Sequence, residues 1–299
     1  MKKNLFLACV LPMALTLASC GGPKTNQNEP AQQTGSDTEE VVQTKEKAFP
    51  WDFPEGNKNE GLAEGIVALS CHSFYPSALE ESDDPAEATL IFYNGKISTV
   101  GDTKSSISSF GDDIEMPNSL IIPIPEGQTA KKGDIILTWW QSGSGMQRAI
   151  VTDASDPTSP KVDYLDLDYK DDGTGIANKH SGNQIKPNTF VVLKEGEWQP
   201  GAQVIAGSDK EGGILISATN DKVLLLCFAN KIKAFDKSDC KLLPLNQGLK
   251  VGDEVSATFV GEYRSGSKIT KIDEKIGRVW VENSFGSEIK SILNVYKEQ

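Results

Sequence analysis

The chain has 299 residues, a formal net charge of -12, 24% charged and 38% hydrophobic residues. So acidic a protein gains nothing from counterion release at phosphates, which argues against nucleic acid as a partner. Two histidines leave little material for acid–base chemistry, and no Cys/His zinc spacing pattern appears.

Met1-Lys2-Lys3 supplies a positive start, and the largely apolar Asn4–Leu17 that follows is too short to span a bilayer as a permanent helix. The segment ends Leu17-Ala18-Ser19-Cys20, which resembles the lipobox of bacterial lipoproteins. The resemblance implies that residues 1–19 are a signal peptide and that Cys20 is acylated and becomes the first residue of the mature protein. Membrane contact would then be through the lipid, since several acyl chains anchor stably where one is marginal. Removing two lysines and no acid takes the formal charge from -12 to -14.

The next residues, Gly21-Gly22-Pro23-Lys24-Thr25-Asn26, lack the aspartate of enterobacterial inner-membrane retention signals. They also lack the acidic cluster of the surface-export tags of Bacteroidetes lipoproteins. By resemblance the address is the outer membrane, facing the periplasm rather than the cell surface. Residues 20–48 are rich in Gln, Asn, Thr, Glu, Lys, Gly and Pro, a composition that reads as a disordered tether spanning roughly 30 Å.

Phe49-Pro50-Trp51-Asp52-Phe53-Pro54 marks the entry to folded structure, and short apolar or β-branched runs then alternate with Gly, Asn, Asp and Pro clusters. The runs predict strands over 65–70, 88–93, 120–124, 134–140, 149–152, 162–167 and 190–193. A second series covers 203–206, 213–218, 223–228, 242–245, 254–260, 267–272, 278–282 and 292–296. Asn94-Gly95 predicts a tight turn. The expectation is an all-β protein.

The two series match one another in order, which predicts two repeated units over 49–197 and 198–299. Ala88–Ile97 aligns with Val223–Ile232, and Ser119–Asp134 with Lys241–Asp253 through Pro123 and Pro244. Gly133–Trp140 aligns with Gly252–Phe259, Arg148–Asp153 with Lys268–Asp273, Lys161-Val162 with Arg278-Val279, and Ile185-Lys186 with Ile289-Lys290. The rhythm from Lys132 through Trp139-Trp140, Arg148–Val151 and Val162–Asp166 resembles the opening strands of Tudor- or agenet-like SH3 barrels. The resemblance implies tandem small barrels and places Trp140 and Tyr164, with Trp139, as candidate walls of an aromatic binding face. Phe259 and Val281 stand at the matching positions of the second unit.

Catalysis would need His72 or His180, with Cys71 as a nucleophile, and no local signature flags any of them. Cys227, within the apolar run Val223–Phe228, reads as a core residue, with a bridge to Cys240 as an alternative. Asp163, Asp166, Asp168, Asp171 and Asp172 read as a solvated acidic loop, because Lys170 interrupts calcium-ligand spacing. No metal or cofactor is expected. The reading is a non-enzymatic envelope lipoprotein that binds a protein or cell-wall partner. A carbohydrate-binding accessory lipoprotein using Trp139 or Trp140, and a Cys/His hydrolase using Cys71 or His180, are the alternatives.

Overall fold

The computed structural model describes residues 48–109 and 111–297. The expected signal peptide, Cys20 and nearly all of the expected tether lie outside the described residues. Strand accounts for 43% and helix for 10% of the chain, so the protein is all-β. The described residues form one compact unit. Among the described residues, no helix is long and apolar enough to cross a membrane.

The strands fall into four consecutive groups of five, all paired antiparallel. The first group is β1 (Val67–Ser70), β2 (Tyr93–Val100), β3 (Lys104–Ser109), β4 (Asp112–Pro117) and β5 (Ile121–Ile124), ordered β4-β3-β2-β1-β5. The second is β6 (Ile135–Trp139), β7 (Met146–Asp153), β8 (Lys161–Tyr164), β9 (Asn183–Gln184) and β10 (Val191–Val192), ordered β10-β6-β7-β8-β9. The third comprises β11 (Gln203–Ala206), β12 (Glu211–Ala218), β13 (Lys222–Leu226), β14 (Ile232–Asp236) and β15 (Cys240–Leu242). The fourth comprises β16 (Glu254–Phe259), β17 (Glu262–Asp273), β18 (Arg278–Asn283), β19 (Gly286–Ser291) and β20 (Val295–Tyr296). In every group the first strand lies between the second and the fifth, and strands two, three and four pair in succession. The last two groups join into one sheet through the single pair Glu211↔Glu262.

Each group enters its first strand through a glycine held in the left-handed region: Gly65, Gly133, Gly201 and Gly252, at φ 82°, 92°, 93° and 95°. The glycine N–H donates to a carbonyl on the second strand, and that residue's N–H donates back to the residue after the glycine. The pairs are Gly65 and Ile97, Gly133 and Val151, Gly201 and Leu215, and Gly252 and Ile269, all at 2.8–2.9 Å. A β-bulge follows each hooked residue, where the pairing with the third strand shifts between Ile97 and Thr99, Val151 and Asp153, Leu215 and Ser217, and Ile269 and Lys271. At three of these bulges the extra residue, Ser98, Thr152 or Thr270, donates its hydroxyl to a third-strand carbonyl. A bulge bends the second strand sharply, so five short strands can curl over a core too small for a flat sheet.

Three groups enclose small cores of their own. Ile136, Val151, Val162 and Phe190 fill the second, Val204, Leu215, Val223 and Leu225 the third, and Val255, Ile269, Val279 and Val281 the fourth. The largest cluster runs between groups, from Trp51 and Leu69 through Ile121 and Ile150 to Leu224 and Leu293. Successive side chains of a strand point to opposite faces. On β13, Val223 and Leu225 therefore fill the third group's core while Leu224 and Leu226 join the shared one. Burial on both faces is why this run is apolar without alternation. The sequence boundary at 197/198 falls between β10 and β11, but polar contacts also cross it: Trp51 donates to the Ile232 carbonyl, and Asn59 to that of Ile216.

Two sequence expectations need correction. Asn94-Gly95 is not a turn: both residues lie inside β2, opposite Leu69 and Ala68. Glycine is needed there because a Cβ at 95 would stand 2.4 Å from the Ile107 side chain on β3. The alignment of Ala88–Ile97 with Val223–Ile232 also pairs unlike places, since the first runs from a loop into β2 and the second from β13 into β14. The helix α1 (Tyr75–Glu81) and the polar strands β3 and β4 carry too little apolar periodicity to have been expected.

Candidate functional site

The expected aromatic face does not form. Trp139 ends β6 and packs against the large shared core, whereas Trp140 packs on the opposite side against the core of the second group. Both are half-buried. The Trp140 indole donates to Ser142 Oγ at 2.8 Å, and the His180 ring meets it edge-on with centroids 4.8 Å apart. Gly143 lies against it so closely that a Cβ there would fall 2.4 Å from the ring. Tyr164 is fully buried, with its hydroxyl accepting from the Gln141 N–H at 3.1 Å, because β8 turns this side chain into its own group's core. Burial raises the Tyr164 pKa. It cannot be a wall of an exposed cage.

The groups considered for catalysis are dispersed. Cys71 is fully buried, and burial pushes the pKa of its thiol far up. His72 is buried, with Nδ1 2.9 Å from Ser70 Oγ and Nε2 without a partner. His180 sits with Trp140 and Ser142. Cys227 lines the core of the third group, with Cys240 packed at its edge, and both are free thiols.

The acidic segment is not simply solvated either. Asp163 is buried and accepts the Gly182 N–H, and Asp171 accepts the Trp280 indole N–H at 2.8 Å. Asp166 holds Arg148. Asp163 and Asp166 are thus used within the second group, and Asp171 ties it to the fourth.

The features that call for explanation converge elsewhere, on a groove of about 520 Å³ where the second, third and fourth groups meet. Its floor is Gly212-Gly213 at the start of β12. A Cβ at 212 would lie 2.9 Å from the Tyr263 ring, and one at 213 equally close to Leu225, so only glycine admits these neighbours. One wall is the turn after β13, with Phe228 57% exposed. The other is the tip of the β16–β17 hairpin, with Phe259 46% and Val260 60% exposed. Gly261 packs under Phe228, and its carbonyl accepts the Gly212 N–H at 2.7 Å.

Both walls are strained. Ala229 and Asn230 have φ of 58° and 56°, and Val260 has φ 49°. A β-branched residue in the left-handed region is an outlier costing on the order of 1–2 kcal/mol. Such strain persists only where surrounding structure imposes it, and it gathers at functional surfaces. Here the Asn230 carbonyl accepts the Leu90 N–H at 2.8 Å, and Arg264 lies over the Phe259 ring at 4.7 Å. At the back of the groove Arg148, 2% exposed, is held by Asp166 and donates to Gln203 Oε1 at 2.7 Å. Mixed polarity over a glycine floor with exposed aromatics suits recognition.

Sequence reasoning missed this site. Its signals are Gly212-Gly213, Phe228-Ala229-Asn230 and Phe259-Val260-Gly261, three short segments that only the packing of the groups unites. No protein-family model and no curated protein matches the chain. The fold and groove define an all-β protein with exposed apolar side chains along one groove.

Proposed function

We propose that this protein is a non-enzymatic, lipid-anchored binding module of the bacterial envelope, capturing a protein partner in the groove between Phe228 and Val260. The body is read as four consecutive SH3-like barrels in two repeated pairs. The recurring strand order, glycine hook and second-strand bulge support that reading. The anchor is read from Leu17-Ala18-Ser19-Cys20, with acylated Cys20 holding the chain to the outer membrane on its periplasmic side. The observation that carries the binding role is that three exposed apolar side chains, Phe228, Phe259 and the left-handed Val260, line one groove, with the left-handed Ala229 and Asn230 following Phe228 in the chain. Exposed apolar patches of this kind mark interaction sites, and buried aromatic anchors dominate interface energetics.

The test is photo-crosslinking in cells from a photoreactive residue at position 228, with position 141 as a control. A discrete protein adduct from 228 that is lost with Phe259→Ser supports the reading, and its absence in a natively folded protein overturns it. Saturable polysaccharide binding sensitive to Phe259→Ser would move the partner to the glycan class. Metabolic labelling tests the anchor separately: fatty acid incorporation should vanish in Cys20→Ala.

A further inference from the structure

A second opening lies between the second and fourth groups, beneath the connection from β15 to β16, and encloses about 460 Å³. That volume falls within the roughly 300–1,000 Å³ of ligand-accepting clefts. Its floor is apolar, built from Ile135, Ile150 and Leu193 on one side and Leu245, Leu249 and Ile272 on the other. Its charged lining consists of Asp134, Glu195 and Glu274, with no lysine or arginine.

Two of these carboxylates are fixed in place. Glu195 accepts the backbone N–H groups of Leu245 and Asn246 at 3.2 and 3.1 Å, one at each oxygen. Asp134 Oδ2 accepts the Lys131 N–H at 2.7 Å. Among the described residues, none of the three carboxylates forms an ion pair. An anionic occupant would be repelled by all three. A purely apolar one would strip water from them without replacing it, at a cost of about 1–3 kcal/mol for each group left unsatisfied. The complementary ligand carries positive charge on an apolar body.

We propose that this cleft binds a basic, apolar-flanked peptide segment of a partner protein, seating a Leu-, Ile- or Val-type side chain on the floor with a neighbouring Lys or Arg against Asp134, Glu195 and Glu274. The site is separate from the Phe228–Val260 groove, and the two can fail independently.

The experiment uses the mature chain and a short fluorescein-labelled peptide of alternating leucine and lysine, followed by fluorescence anisotropy. Saturable binding should weaken as salt rises, because exposed charges are screened. Glu274→Gln should weaken it about two- to fivefold, the scale of a single exposed charge pair, and Glu274→Lys more strongly. Glu274 is exposed and makes no hydrogen bond that shapes the fold, so these variants remain native. Phe228→Ser should leave peptide binding unchanged. Equal binding of an alternating leucine–glutamate peptide, or of a serine–lysine peptide, would overturn the proposal, as would wild-type affinity in Glu274→Lys. Binding of a small alkylamine but not the peptide would reject the macromolecular occupant.

Discussion

Arg148 and Asp166 meet side by side at the back of the groove, Nε donating to Oδ2 at 3.1 Å and Nη2 to Oδ1 at 2.7 Å. The Arg148 backbone N–H reaches the same carboxylate at 2.7 Å, so Asp166 fixes both the strand and its side chain. Removing one partner of a buried pair strands the other charge, whereas replacing both by apolar residues is often neutral. Asp166→Ala should therefore destabilise the protein by about 3–5 kcal/mol in urea unfolding. The double replacement Arg148→Met with Asp166→Leu should lie closer to wild type. A double variant as unstable as the single one would refute this account of the pair.

Val260 is held at a φ that glycine adopts freely, and its side chain is mostly exposed. Val260→Gly should raise stability by about 1 kcal/mol through relief of that strain, while weakening capture of the partner in the groove. Thermal unfolding and the position-228 crosslink read the two effects separately. A destabilised Val260→Gly would show that the strain has been misread.

The glycine hooks allow a graded comparison. No atom lies within 4 Å of a Cβ built at Gly133 or Gly252, so alanine there meets only backbone strain, about 1–2 kcal/mol. At Gly201 the same Cβ would also stand 3.1 Å from Leu137 and Leu193. Gly201→Ala should be the most damaging of the three in chemical denaturation.

Gly95→Ala would drive a methyl into Ile107, a core overpacking costing about 1–3 kcal/mol. Ile107→Val removes part of the obstruction, so a double-mutant cycle should show the second substitution rescuing part of the loss. Simple additivity would refute a direct contact.

His72 should make stability depend on pH. Burial lowers its pKa, partly offset by a hydrogen bond with the Ser70 backbone, so the folded protein resists protonation more than the unfolded chain does. On acidification the unfolded state takes up the proton first. Stability is thus complete above an unfolded histidine pKa of about 6.5 and falls below it, by at most about 1.4 kcal/mol per pH unit from this one group. The loss stops once the pH is below the folded-state pKa. Denaturant midpoints from pH 7.5 down to 5 should show a shallower decline in His72→Asn.

The sequence made strands legible wherever one or both faces are buried, as in Val223–Leu226 and Ile135–Trp139. It hid β3, where serines flank the buried Ile107, and β4, which opens Asp112-Asp113 and lies at a sheet edge. It also misjudged Asn94-Gly95, because a glycine chosen for close approach looks the same in sequence as one chosen for a turn. Trp139 and Trp140 do point to opposite faces as alternation requires, yet Tyr164 turned inward. That outcome depends on which side of β8 encloses the core, and spacing alone does not encode it. The groove at Phe228 and Val260 was illegible for a stronger reason: its walls lie about thirty residues apart on different groups, and the Arg148 behind them comes from a third.

The indole of Trp51 is pinned to Ile232, 181 residues further on, and Asn57 and Asn59 are tied to Ser217 and Ile216. Tension applied at the leading end therefore does not peel β1 away from its sheet. It loads the first and third groups together until that clasp opens.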